Sequence, residues 1–224
     1  MNRLFTFDCQ PPWLVARFPA RQRMLSWSLN RPGFVEAQTV AWLQVCDADL
    51  PLGVDPLDLL ERKLGEQELD DAVGLMTARE IRHHHFAVSS DGSARVEVLV
   101  TLGLTNGITL DEIGHTAVYP ATASIGTINI LVAVSQPLSQ GAMLEAISVA
   151  TMARTAALLS EGGQIIGTGT DCVVVACPDE VPGEAFAGLH TAIGMHITEA
   201  VYRGVLDARN LWAKHGSCFC LADT

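Results

Sequence analysis

Between residues 167 and 171 the chain reads Gly-Thr-Gly-Thr-Asp, two hydroxyls and a carboxylate set among glycines, directly ahead of the apolar run 172–177. Glycine lets another group approach the backbone closely. Amides in such a loop can donate to a developing oxyanion, and a carboxylate can act as a base or orient one. Gly167, Thr168, Gly169, Thr170 and Asp171 are therefore read as a ligand-facing loop, with a plain tight turn as the alternative. No Gly-Lys-Ser/Thr follows, so the loop is not a phosphate-binding P-loop.

Further polar groups could join it. Thr105 and Asn106 end the apolar run 96–104, either as turn residues or as site residues. Asn129 lies inside the apolar run 125–134, where an amide without partners costs about 1–3 kcal/mol, so it must be tied to a neighbouring loop or aimed at a ligand. His190 and Thr191 open the last helix, whose free amides favour negative charge. That makes His190 a candidate acid or base, against the alternative of a solvated helix start. His115, in the Gly- and Thr-rich stretch 114–123, is read as part of a loop that approaches the same cleft. His83 and His85 would share one face of a strand, but no Asp, Glu or Cys nearby completes a ligand set, and no metal site is assigned.

The elements that must position these groups follow from pattern and punctuation. Short apolar and β-branched runs at 3–8, 13–18, 24–29 and 38–45, divided by Pro and Gly, predict an antiparallel start to a sheet. Asp55-Pro56 opens a short helix at 57–64. Strands at 83–89 and 94–104 are joined through Ser90-Asp91-Gly92-Ser93, a hairpin signal. A strand at 123–134 leads through Ser139, a helix cap, into a helix at about 140–160 that Gly162-Gly163 ends. A strand at 172–177 and a helix at about 187–208 complete the chain. Strand, long helix, strand suggests a right-handed crossover. The expected architecture is α/β: one layered domain over 1–210, a mixed sheet antiparallel in its N-terminal part, helices packed on it, and a tail at 211–224.

Composition limits the partners. A chain of 224 residues with 49% hydrophobic and 17% charged residues folds as a globular unit. Its formal charge of −11, without a run of basic residues, argues against nucleic acid and anionic membranes. No stretch reaches the roughly 18 apolar residues of a spanning helix. The N-terminus lacks the pattern of a secretory signal, so a cytoplasmic location is expected. The cysteines at 9, 46, 172, 177, 218 and 220 form no C-x-x-C pair, and most are read as reduced core thiols, with metal binding as the alternative for the close-spaced Cys218-Phe219-Cys220. A homo-oligomer is compatible with all of this.

Several stretches together resemble the adenosylcobinamide amidohydrolase family: T-L-G-L-T-N-G (101–107), G-T-I-N-I-L-V-A-V (126–134), P-L-S-Q-G-A-M-L-E-A (137–146), G-T-G-T-D (167–171) and L-H-T-A-I-G (189–194), with R-M-L-S-W-S-L-N-R-P-G-F (23–34) and G-L-M-T-A-R (74–79) in support. The resemblance implies a salvage enzyme that hydrolyses the amide joining a corrin propionate to aminopropanol, with a cobalt-containing corrinoid as substrate and no cofactor of its own. Cys172 and Met195-His196 depart from the family pattern, and the Cys218-x-Cys220 tail has no counterpart in it. The expected roles are Asp171 or His190 activating a water, the 167–170 amides with Asn106 or Asn129 holding the oxyanion, and His190 protonating the amine. A Thr168 or Thr170 nucleophile is the other mechanism. The competing functions are a corrinoid- or nucleotide-binding module without turnover, and a metal-dependent hydrolase using His83, His85 or His115.

Overall fold

A computed structural model describes residues 3–114 and 126–215. His115, Cys218 and Cys220 lie outside the described residues. In chain order the elements are β1 (Thr6–Gln10), β2 (Trp13–Ser26), β3 (Gly33–Gln44), α1 (Pro56–Gly65), β4 (Val73–Thr77), β5 (His85–Ser90), β6 (Arg95–Leu102), β7 (Gly107–Thr109), β8 (Ile128–Val134), α2 (Gln140–Leu159), β9 (Ile165–Thr168), β10 (Cys172–Pro178) and α3 (Ala192–His215). The main sheet runs β4-β3-β2-β10-β8-β6-β5, with β1 on β2, and β7 pairs with β9 in a separate ribbon. β10 is parallel to β8 and β4 to β3, and the other pairs are antiparallel. The mixed α/β expectation holds.

The alternation of β8 shows how the sheet is buried on both faces. Ile130, Val132 and Val134 join the core under α2 and α3, whereas Leu131 and Ala133 join Phe5, Met24 and Trp42 on the other side. α1 adds Leu59, Leu60 and Leu64 against Val15, Ala41 and Leu43. Its start is set by Asp55, whose carboxylate accepts from Leu57 N at 2.8 Å.

The expected strands at 13–18 and 24–29 are one strand, β2, whose pairing with β3 slips between Arg17 and Gln22. Pro19 sits in the slip, where a residue without an N–H disturbs no ladder bond. The 90–93 hairpin forms as expected. Asp91 accepts from Ser93 N at 2.9 Å and Ser93 Oγ at 2.7 Å, and Gly92 takes φ +94°. α2 is capped by Ser139, which accepts from Ala142 N at 3.1 Å. The span Gln140–Gly162 is long and apolar enough by composition to cross a membrane, which corrects the sequence reading. More than half of it is buried in the core, because its alanines let the helix pack closely against both sheet and α3.

α3 starts at Ala192 and not near 187. Thr191 Oγ1 accepts from Gly194 N at 3.0 Å, as a helix cap does, and a Cβ on Gly194 would lie 2.0 Å from the Gly188 carbonyl oxygen. The turn through Gly188 therefore folds back on the first helical turn, and the helix continues to His215.

Candidate functional site

A cavity of about 460 Å³ opens where the curled sheet brings β4 towards β8. Gly74, Leu75 and Met76 line one wall, and Thr127, Asn129, Gly169, Thr170, Asp171 and Cys172 line the opposite one. Trp27 and Ser28, and Leu50, Pro56 and Leu60 from the α1 side, complete it. Asn129 Nδ2 donates to Met76 O at 2.7 Å and so bridges the walls. This buried amide is thus tied to a neighbouring strand, and it also lines the cavity. A larger hollow of about 610 Å³, between the β1–β2 turn and α1, contains none of the candidate residues.

Asp171 is the most heavily bonded side chain of the site. Its Oδ1 accepts from Ile128 N at 3.1 Å and from Thr168 Oγ1 at 2.5 Å. Its Oδ2 accepts from Thr168 N at 3.0 Å and from Arg154 Nη1 at 2.7 Å. The two ionic side chains are only 6% and 10% exposed. Gly167 is required by this arrangement, because a Cβ there would lie 2.8 Å from Asp171 Oδ2. Each Asp171 oxygen thus accepts two bonds, which occupies the in-plane lone pairs of the carboxylate. In this structure the group fixes the loop to β8 and offsets the buried guanidinium of Arg154. Thr168 donates its hydroxyl to the same carboxylate and does not line the cavity wall with Thr170.

The hydroxyls that remain form a pair. Thr127 Oγ1 and Thr170 Oγ1 are 2.7 Å apart, and Thr170 Oγ1 donates to Gly126 O at 3.0 Å. Each hydroxyl has one proton, so with that of Thr170 on the carbonyl, Thr127 is the donor within the pair. Thr105 and Asn106 stand against the same spot: a Cβ on Gly126 would lie 2.5 Å from Asn106 Oδ1 and 2.7 Å from Thr105 Oγ1. Asn106 Oδ1 is buried and makes no hydrogen bond among the described residues. Thr127 escaped the sequence reading because a threonine opening an apolar run reads as an ordinary β-branched strand residue. Arg154, buried in an alanine-rich helix, gave one signal, an isolated charge on an otherwise apolar face.

The structure does not bring His190 or Thr191 to this cavity. β8 and β10 run parallel from the cavity end, so Pro178 and Val134 lie at the other end of the sheet, about 20 Å away for seven residues of strand. The segment that follows β10 is fixed there: Ser139 N donates to Glu184 O at 2.9 Å, and Ala187 N to Glu145 Oε2 at 2.7 Å. His190 is exposed, and Thr191 serves as the cap described above. The expected convergence of imidazole and carboxylate is thus overturned by strand direction.

The other candidates sort by burial. His83 and His85 join no group of three metal-binding side chains among the described residues. Burial pushes the His85 imidazole below its ordinary value of 6.5, against a raising influence of Asp207. The unfolded chain then binds the proton more readily, so His85 contributes stability above about pH 6.5 that is lost as the pH falls through the folded value. Melting followed between pH 7.5 and 5 should show this decline, and His85→Gln should flatten it. The Cys172 thiol, beside Asp171, is pushed up to about 12, chiefly by burial. It should resist iodoacetamide at pH 8 in the folded protein, as peptide mapping would show, and Cys172→Ala should leave catalysis within about twofold.

The cavity's polar wall carries hydroxyls, an amide and a glycine-lined loop within an α/β fold, and among the described residues its lining holds no Lys, Arg or His. The model of the adenosylcobinamide amidohydrolase family matches residues 2–217, and the chain belongs to that family of amide-bond hydrolases. An adenosylcobinamide amidohydrolase of Methanosarcina mazei is 41% identical over 92 residues, 37% of this chain and 46% of that protein. One from Halobacterium salinarum is 33% identical over 147 residues, 63% of this chain and 61% of that protein. The chain thus spans about half to three fifths of these relatives. The PH0078 protein of Pyrococcus horikoshii OT3 aligns over 88% of this chain and 76% of its own, with a TM-score of 0.46 and 12% identity.

Proposed function

We propose that this protein hydrolyses the amide between the corrin propionate and aminopropanol of adenosylcobinamide, giving adenosylcobyric acid for cobamide salvage in the cytoplasm. The observation that carries the reading is the Thr127–Thr170 hydroxyl pair facing a cavity whose lining, among the described residues, holds no cationic side chain. That wall suits a neutral amide.

Thr127 Oγ1 attacks the carbonyl carbon and passes its proton to Thr170, which passes its own to the departing nitrogen. Aminopropanol leaves and the propionate is held as an ester on Thr127. Water then adds to the ester, its proton returns through Thr170 to Thr127, and the carboxylic acid is released. The protons balance: one moves from Thr127 to the amine nitrogen through Thr170, and one returns from water to Thr127 by the same path. The amides of Gly169 and Thr170, with the side-chain N–H₂ of Asn106, are the candidates to hold the oxyanion.

The test is incubation of the protein with adenosylcobinamide, followed by assay of aminopropanol and identification of the corrinoid by mass. Stoichiometric aminopropanol and an acid product support the reading. Binding with no released amine would leave a corrinoid-binding module. Loss of activity to a chelator would favour the metal-dependent alternative.

A further inference from the structure

We infer that the cavity admits only the amide-bearing arm of the corrinoid, and that the macrocycle rests outside on an apolar platform made by Trp27 and Leu29 with Leu52 and Val54. The inference deepens the proposed amidohydrolase reading and rests on it. Size is the first argument. At about 460 Å³ the cavity lies low in the range of about 300–1,000 Å³ that serves drug-sized ligands. A corrin macrocycle bearing its cobalt, amide side chains and adenosyl group is far larger. A short side arm of that molecule can reach Thr127 where the macrocycle cannot, and the rings must be received at the mouth.

Exposure is the second. Trp27 is 47% and Leu29 55% exposed at the cavity mouth, and Leu52 and Val54, on the loop between the lining residues Leu50 and Pro56, are 103% and 40% exposed. Apolar side chains grouped around a cavity mark a surface that a ligand covers. The loop carrying the indole is also held rigidly. Trp27 N donates to Val173 O at 3.3 Å, Ser28 N to Ser26 Oγ at 3.0 Å, and Arg31 N to Ser28 Oγ at 3.2 Å. Asn30 clamps β4, donating to Ala72 O and accepting from Gly74 N, both at 3.0 Å. An indole presented on a fixed loop loses little freedom on binding, and its face suits a flat conjugated ring.

The experiment compares wild type with Trp27→Ala, Trp27→Phe, Leu52→Ser and the remote control Leu144→Ser, reading KM and kcat for adenosylcobinamide and, separately, the Kd for cyanocobinamide from changes in corrin absorption. Trp27→Ala should raise KM and Kd by about tenfold or more with kcat within about twofold, Trp27→Phe should recover most of the loss, and Leu52→Ser should raise both constants several-fold. Leu144→Ser should change nothing. Turnover with unchanged KM and Kd in both Trp27→Ala and Leu52→Ser overturns the platform and leaves the amidohydrolase reading intact. Tight cyanocobinamide binding that depends on Trp27, without turnover, supports the platform and defeats the hydrolytic reading. No binding by wild type overturns both.

Discussion

Thr127→Val is expected to lower kcat/KM for amide hydrolysis by at least about a thousandfold, on the scale of losses that follow removal of a covalent nucleophile. The change keeps the β-branched shape that opens β8, so folding should survive. Thr127 is 5% exposed, and its backbone carbonyl accepts from Gly103 N at 3.0 Å, a bond the substitution does not touch. Binding should persist too, because the apolar walls and the mouth are unchanged. Thr127→Ser keeps the oxygen and should retain substantial turnover, whereas Thr170→Val keeps the attacking oxygen but breaks the relay and should fall between. Steady-state rates for the three variants with melting curves decide the matter. Full activity in Thr127→Val would transfer the chemistry to a bound water and end the hydroxyl-pair mechanism. A trapped ester on Thr127, seen as added mass in rapidly quenched enzyme, would support the attack directly.

Much of the scaffold was legible because its signals are local. Asp55-Pro56, Ser139 and Asp91-Gly92 each satisfy free backbone groups within a few residues, and each sits where it was expected. The alternation of β8 and the apolar run of β10 likewise report burial on both faces without any knowledge of neighbours. β4 was missed because Val-Gly-Leu-Met-Thr is short and carries a glycine, which is explained only by Leu60 and Leu64 of α1: a Cβ on Gly74 would lie 2.9 Å from Leu64 Cδ1. Of the site, the loop 167–171 and Asn129 stood out by composition, and Thr105 and Asn106 by their place at a strand end. What local pattern could not supply was which end of the sheet each loop occupies. His190 looked as good as Asp171 until the parallel pairing of β8 and β10 put the segment after β10 at the opposite end. Trp27 read as one more strand residue, although it lies past the last paired residue of β2 and at the cavity mouth.

The same local reading made Asp171 look like a base, and Asp171→Asn separates that role from the one the structure assigns. An amide in place of the carboxylate keeps one acceptor oxygen and points an N–H₂ group at donors: Thr168 N and Arg154 Nη1 on one side, Ile128 N on the other. Arg154 would be left buried without its counter-charge. Breaking one partner of a buried pair costs about 3–5 kcal/mol. For a domain of this size that corresponds to a fall in melting temperature on the order of 10 °C. A catalytic base predicts the reverse pattern, with melting unchanged and turnover lost by orders of magnitude. Arg154→Met alone should also destabilise, since it strands the carboxylate. The double variant Asp171→Asn with Arg154→Met should recover part of the sum, because the two changes remove the same interaction. Where Asp171→Asn remains folded, turnover should fall by no more than about tenfold, through loosening of the Ile128 amide next to Thr127 and not through loss of a proton acceptor. An Asp171→Asn protein that melts like wild type yet turns over nothing would return the carboxylate to the chemistry and make its ion pair with Arg154 a means of setting that base.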